Sequence, residues 1–236
     1  MESVPPDSAD CKCRTADNCP ESSDTEKIGE SLNSYVSNKL EYFKKSKSSN
    51  GLLRKIFSCA DPQQKMLAKL SASSGKKIQF AREKSRQYSH GIIRLHQPGT
   101  TIHIHRDNAS FEASNFFVSE LSGQLSAVLH LQSPESGGTL SIFDKFWVKA
   151  DEKHRKPVFG YSKQVIKKAP HSSLSCNQGD LVIINPKKYH SVNSVKGKLT
   201  RVTFGFFFGY DKHSNLFAWS LLFEKDFNCI KHIISI

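Results

Sequence analysis

Hydrophobic and polar positions change rhythm near residue 88. Before it, apolar residues recur at helical spacing; after it, they alternate. Tyr35, Val36, Leu40 and Phe43 predict a helix over residues 33–47, ended by the polar run SKSSNG. Leu52, Leu53 and Phe57 predict a second short helix in GLLRKIFSCA. Asp61 before Pro62 is a helix start, followed by Met66, Leu67 and Leu70 on one face. Residues 76–86 are expected to add a further helical turn or two. From Tyr88 the runs HGIIRLHQPG, TIHIHRD, FFVSEL, QLSAVLHLQ, TLSIFDKFW, GDLVIIN and TRVTFGFFFG read as short strands separated by Gly, Pro and Asn turns. Gly137-Gly138 is expected to close a hairpin between Ala127–Leu131 and Leu140–Phe143. The apolar tail NLFAWSLLFEKDF and NCIKHIISI is expected to pack against the body. The series predicts an all-β core, a sandwich or jelly roll, with the helices of residues 32–86 packed outside.

The first 31 residues differ in composition. They are rich in Ser, Asp, Glu and Pro, and are expected to be a disordered or loosely attached leader before one domain over 32–236. They hold eight acids against three bases, so the rest of the chain carries +17 of an overall +12. That field favours anionic ligands. Its bases are dispersed rather than gathered with aromatics, so dedicated nucleic-acid recognition is not expected. Six cysteines, three of them in the leader, form no disulfide framework. Cys11, Cys13 and Cys19 lack a fourth partner for a closed zinc site. No run approaches the length of a membrane helix, and MESVPPDSAD has no signal-peptide character, which predicts a cytoplasmic protein.

The chemistry gathers at two places. In TIHIHRD, period-two alternation puts His103, His105 and Asp107 on one side of a strand. About eighty residues later, His190 follows Asn185-Pro186 and Tyr189 at the head of another strand. Two imidazoles and a carboxylate are the set that holds Fe(II) with one octahedral face open. Asp107 has a plainer reading as a turn residue bonding nearby backbone. His103 is an alternative ligand. Beyond the Gly197 turn, Arg201 and Thr203 share one strand face while Val202 and Phe204 take the other. A guanidinium and a neighbouring hydroxyl suit the distal carboxylate of 2-oxoglutarate. A solvated strand charge is the plainer reading of Arg201, and Arg94 is the first alternative for the carboxylate.

In this order, HRD, QLSAVLHLQSPESGGTLSIFDKFW, GDLVIINPKKYHSV and GKLTRVTFGFFFG resemble the Fe(II)/2-oxoglutarate-dependent oxygenase superfamily on its double-stranded β-helix. The likeness is to the prolyl-hydroxylase-like branch, and more closely to small amino-acid hydroxylases and radical halogenases. It implies that His105, Asp107 and His190 ligate Fe(II). Arg201 would anchor the cosubstrate 2-oxoglutarate, with Thr203 in the place of a usual Ser. Halogenases of this kind carry Gly or Ala where Asp107 stands, so the resemblance implies hydroxylation using O₂. The expected substrate is a free amino acid or similar small metabolite. A protein side chain such as prolyl is the alternative, and a non-enzymatic cupin-like barrel is a second, in which the four polar residues would not converge. Asp144 and Trp147 are candidates for the substrate pocket.

Overall fold

A computed structural model describes residues 25–58 and 61–220 of the chain. The cysteines of the leader and the tail beyond Ser220 lie outside the described residues. The core is all-β, in two main antiparallel sheets. The strands of the larger sheet are β1 (Thr25–Ile28), β2 (Ile78–Phe80), β3 (Ile92–His96), β5 (Gly123–Gln132), β8 (Leu181–Ile184), β10 (Arg201–Tyr210) and β11 (Leu216–Ser220). The smaller sheet holds β4 (Ile102–His105), β6 (Leu140–Phe146), β7 (His171–Leu174) and β9 (Lys188–Val192). Strand β10 is central. One edge pairs with β5 along its length; the other is shared by β3 and then β11. Strand β8 continues the sheet beyond β5, β1 lies beyond β3, and β2 runs parallel to β11. The smaller sheet has the order β7-β6-β9-β4. Among the described residues, neither sheet closes on itself.

The alternation in β10 decides what faces what. Val202, Phe204, Phe206 and Phe208 join the core under the helices, packed with Leu53, Met66, Leu67, Ile93 and Leu95. Arg201 and Thr203 point the other way, into the space that both sheets line. The expected outer position of the helices is observed. Asp61 caps its helix (α2, Pro62–Ser74), accepting bonds from the backbone of Gln63 and Gln64 at 2.9 and 3.2 Å.

Three expectations need correction. The two helices predicted around SKSSNG are one, α1, running 19 residues from Lys39 to Phe57. Its buried stripe is Tyr42, Phe43, Ser46, Ser49, Asn50 and Leu53, while Leu40 is 72% exposed. Three residues of the polar run therefore face inward, and Ser49 and Asn50 have bonding partners there. Ser49 donates to Glu30, and the Asn50 side chain donates to Tyr88 O at 3.0 Å and accepts from His90 N at 2.8 Å. Residues 76–86 form no helix: β2 pairs with a strand 138 residues later, and Arg82–Glu83 pairs with Arg86–Gln87. Finally, Gly137-Gly138 makes no hairpin. Strands β5 and β6 belong to different sheets, and the pair is the corner where the chain crosses between them. Both glycines have positive φ (71° and 64°), and a Cβ on Gly138 would sit 2.9 Å from Arg201 Cδ. The corner thus leaves room for that side chain. Within the expected leader, Thr25–Ile28 form β1 and pair with β3.

Two stability predictions follow from this layer. Asn50→Ala leaves two buried backbone groups unpaired and should cost about 2–4 kcal/mol, read as a lower urea midpoint. His90, buried and stacked on Phe80, has its pKa pushed down by burial to about 4 from an ordinary 6.5. The unfolded chain takes up a proton here that the fold rejects, so this residue's contribution is lost as pH falls through that window. Midpoints of wild type and His90→Gln should therefore diverge above it and approach each other on acidification to pH 4. Parallel curves would contradict the neutral burial of His90.

Candidate functional site

Strands β4 and β9 are antiparallel neighbours, with His105 directly opposite His190. Their rings lie 4.1 Å apart between centroids. Each imidazole is oriented in the same way: His105 Nδ1 bonds His103 O at 2.8 Å, and His190 Nδ1 bonds Lys188 O at 2.9 Å. A carbonyl only accepts, so each Nδ1 carries a proton, and in the neutral ring Nε2 is the nitrogen that keeps the lone pair. That is the tautomer a metal needs, fixed by the backbone two residues earlier. Asp107 follows β4, tied by its own N–H to Pro186 O at 2.8 Å, in the turn leading to β9. Its Oδ2 lies 3.7 Å from His190 Nε2. One donor atom from each of the three residues falls within 4.8 Å of the others, and all three are buried. Burial pushes His105 down to about 3, so its ring is neutral. Burial alone would raise Asp107, but the His190 and His105 rings and Arg94 hold it below the ordinary carboxylate range. Two imidazoles and one carboxylate, with no other metal-type cluster among the described residues, fit a divalent iron.

The triad opens onto a cavity of about 620 Å³, its mouth included. Aliphatic residues Ile102, Leu140, Val182, Ile184 and Val192 line part of it. The larger sheet supplies a polar wall. Arg94, Thr203 and His130 stand in one row across β3, β10 and β5, with His96 opposite Arg201 in the next. Arg201 is 4% exposed, and burial lowers its pKa to about 10, so it stays charged at neutral pH. It makes no ion pair with any described residue, and its Nε has no hydrogen-bond partner among them. A buried guanidinium without a carboxylate is costly unless a ligand supplies one.

The sequence-predicted residues therefore fall into two groups facing one cavity, His105, Asp107 and His190 in one and Arg201 and Thr203 in the other. Of the four residues whose convergence separates the oxygenase from the non-enzymatic barrel (His103, His105, Asp107 and His190), the last three meet. His103 lies outside the cluster and contributes its carbonyl to His105. Asp144 and Trp147 do not line the cavity. Asp144 is exposed and pairs with Lys188 at 2.5 Å, while Trp147 packs on Arg106 and donates to Glu152 at 2.6 Å. Arg106 turns away from the triad and donates at 3.0 Å to Glu112, whose carboxyl is pushed up to about 8 by burial and the nearby charge of Asp107. Sequence reasoning missed His96, His130 and Phe159. The first two carried a signal, since alternation in IIRLH and SAVLHLQ puts them beside Arg94 and Val128. Phe159, whose ring lies 5.1 Å from that of His105, sits in a loop with no such signal.

Comparison with known proteins agrees with this geometry. A family model described as "Carrier-protein-independent halogenase WelO5" matches residues 12–220. Leucinostatins biosynthesis cluster protein S of Purpureocillium lilacinum is 27% identical over 142 residues, 58% of this chain and 57% of the relative. The chain thus aligns with little more than half the length of that relative. Among solved structures, an N-substituted L-amino acid dioxygenase from Burkholderia ambifaria AMMD superposes with a TM-score of 0.57 at 16% identity. The match covers 80% of this chain and 72% of the other. Its complex with alpha-KG gives the same TM-score at 17% identity, over 80% and 73%. At such identity the likeness is one of fold. The family match spans most of the chain, and the donor set suits Fe(II) and 2-oxoglutarate: the chain belongs to the WelO5 family, within the Fe(II)/2-oxoglutarate-dependent oxygenase superfamily.

Proposed function

We propose that this chain is a 2-oxoglutarate-dependent dioxygenase that hydroxylates an unactivated C–H of a free amino acid or similar small metabolite. In this reading His105, Asp107 and His190 ligate Fe(II), and Arg201 with Thr203 holds the distal carboxylate of 2-oxoglutarate. The two sheets then form an open double-stranded β-helix around the cofactors. One observation carries the reading: a buried three-donor cluster faces, across one cavity, a buried guanidinium that no described residue counters. Bound iron with 2-oxoglutarate would supply the oxidising chemistry, with the cosubstrate converted to succinate and CO₂ and one oxygen atom delivered to the substrate. The chain's own part is orientation. Backbone carbonyls fix both imidazoles, the Pro186 carbonyl fixes Asp107, and the aliphatic wall keeps water from the reacting space.

Hydroxylation is preferred to halogenation because Asp107 fills the position that a halide would need. A cavity between the sheets, lined by both polar and apolar groups, suits a small molecule. The test is turnover with Fe(II), 2-oxoglutarate and a pool of free and N-substituted amino acids under ¹⁸O₂. Succinate formation coupled to a product that gains one labelled oxygen supports the reading. Chlorinated product in the presence of chloride, or oxidation of a peptidyl side chain alone, would replace it.

A further inference from the structure

We propose that His130 is a specificity-determining residue. Its Nδ1 donates to the same distal carboxylate as Arg201 and Thr203, and so selects a 2-oxoacid bearing a second carboxylate. This inference rests on the cosubstrate reading above.

Alternation along β5 puts Ser126, Val128 and His130 on the cavity face. The position of His130 is fixed by its backbone, whose N–H donates to Asp180 O at 2.9 Å and whose carbonyl accepts from Gly179 at 2.8 Å. Directly across the strand pair stands Thr203, at the distance where opposed side chains meet. The residue is 3% exposed, and its Nδ1 is buried with no hydrogen-bond partner among the described residues. A buried polar atom left unpaired calls for an explanation, and a ligand in the cavity gives one. Burial, and then the charge of Arg201, pushes the imidazole down to about 4, so it is neutral and offers one N–H. A carboxylate has room for it. Two oxygens provide about four acceptor sites; the Arg201 fork takes two, leaving one each for the Thr203 hydroxyl and His130. An aliphatic chain end, by contrast, would leave the guanidinium, hydroxyl and imidazole all unpaired.

The test compares two 2-oxoacids of equal length on the anaerobic Fe(II) protein by calorimetry: 2-oxoglutarate, and 2-oxovalerate, which lacks the second carboxylate. His130→Leu should weaken 2-oxoglutarate about tenfold while changing 2-oxovalerate less than twofold, and His130→Gln, whose amide can donate, should recover part of the loss. A merely structural role would weaken both acids alike. Equal loss for both, or none for either, overturns the proposal while leaving the cosubstrate reading in place. Wild-type protein that fails to bind 2-oxoglutarate overturns the cosubstrate reading as well. Should the variants misfold, the ¹⁵N resonance of His130 Nδ1 in wild-type, Zn(II)-substituted protein decides. It should shift on adding 2-oxoglutarate but not 2-oxovalerate, and an unchanged resonance counts against the proposal.

Discussion

Replacing Asp107 with Ala is expected to abolish hydroxylation while leaving the fold intact. The carboxylate is the one acidic donor of the triad, buried at 8% exposure beside two imidazole rings. On the proposed reading, its loss would remove the charge that compensates a dication and one of three protein ligands. Partners that merely orient ligands cost roughly 10–100-fold in metal affinity when removed, so a direct ligand should cost more. The fold should survive because Asp107 is placed by its backbone bond to Pro186, which the substitution keeps. His103→Ala is the control. Its carbonyl, not its imidazole, serves His105, so its turnover should stay close to that of wild type. Full iron-dependent turnover in Asp107→Ala, with loss in His103→Ala, would reverse the ligand assignment.

Arg201→Ala is expected to raise the 2-oxoglutarate requirement at least tenfold. The guanidinium is buried, charged and without an acidic partner among the described residues, and the glycine corner at Gly137-Gly138 is shaped around its stem. On the proposed reading, removing it would strand the cosubstrate carboxylate in a desolvated place, at a cost of about 2–5 kcal/mol. Thr203→Val removes a single neutral bond and should cost roughly 1 kcal/mol. Neither change should alter Fe(II) affinity in the absence of cosubstrate, because both side chains lie on the opposite sheet from His105 and His190. Near-native 2-oxoglutarate affinity in a folded Arg201→Ala protein would move the anchor to Arg94, which lines the same cavity.

What the sequence revealed depended on how local the cause was. The direction of Arg201 and Thr203 was legible because their strand alternates with Val and Phe, and a buried face admits one register. The Asp61-Pro62 helix start was legible because capping is chemistry between close neighbours. The HxD and distal His were legible as an ordered set, although only pairing of β4 with β9 shows how His105 meets His190. The continuity of α1 was hidden because its inward stripe includes Ser46, Ser49 and Asn50, the last two of which find their partners in Glu30, Tyr88 and His90. Strand β2 was hidden because its neighbour is Leu216–Ala218. The glycine pair misled for a related reason: turn residues announce a bend, but distant pairing decides which strands the bend joins. His130 illustrates the same limit at the site, since a lone strand histidine acquires meaning only from what stands across from it.

The most direct measurement is an anaerobic electronic spectrum of the Fe(II) protein titrated with 2-oxoglutarate. Two nitrogens and one carboxylate with an open face predict a new visible charge-transfer band from chelated 2-oxoglutarate, saturating at one equivalent per chain. The band should be lost in Asp107→Ala and should require more 2-oxoglutarate in Arg201→Ala. A wild-type protein that binds Fe(II) but develops no such band, or develops it equally well without Asp107 and Arg201, would contradict the assignment of this cavity as the oxygenase site.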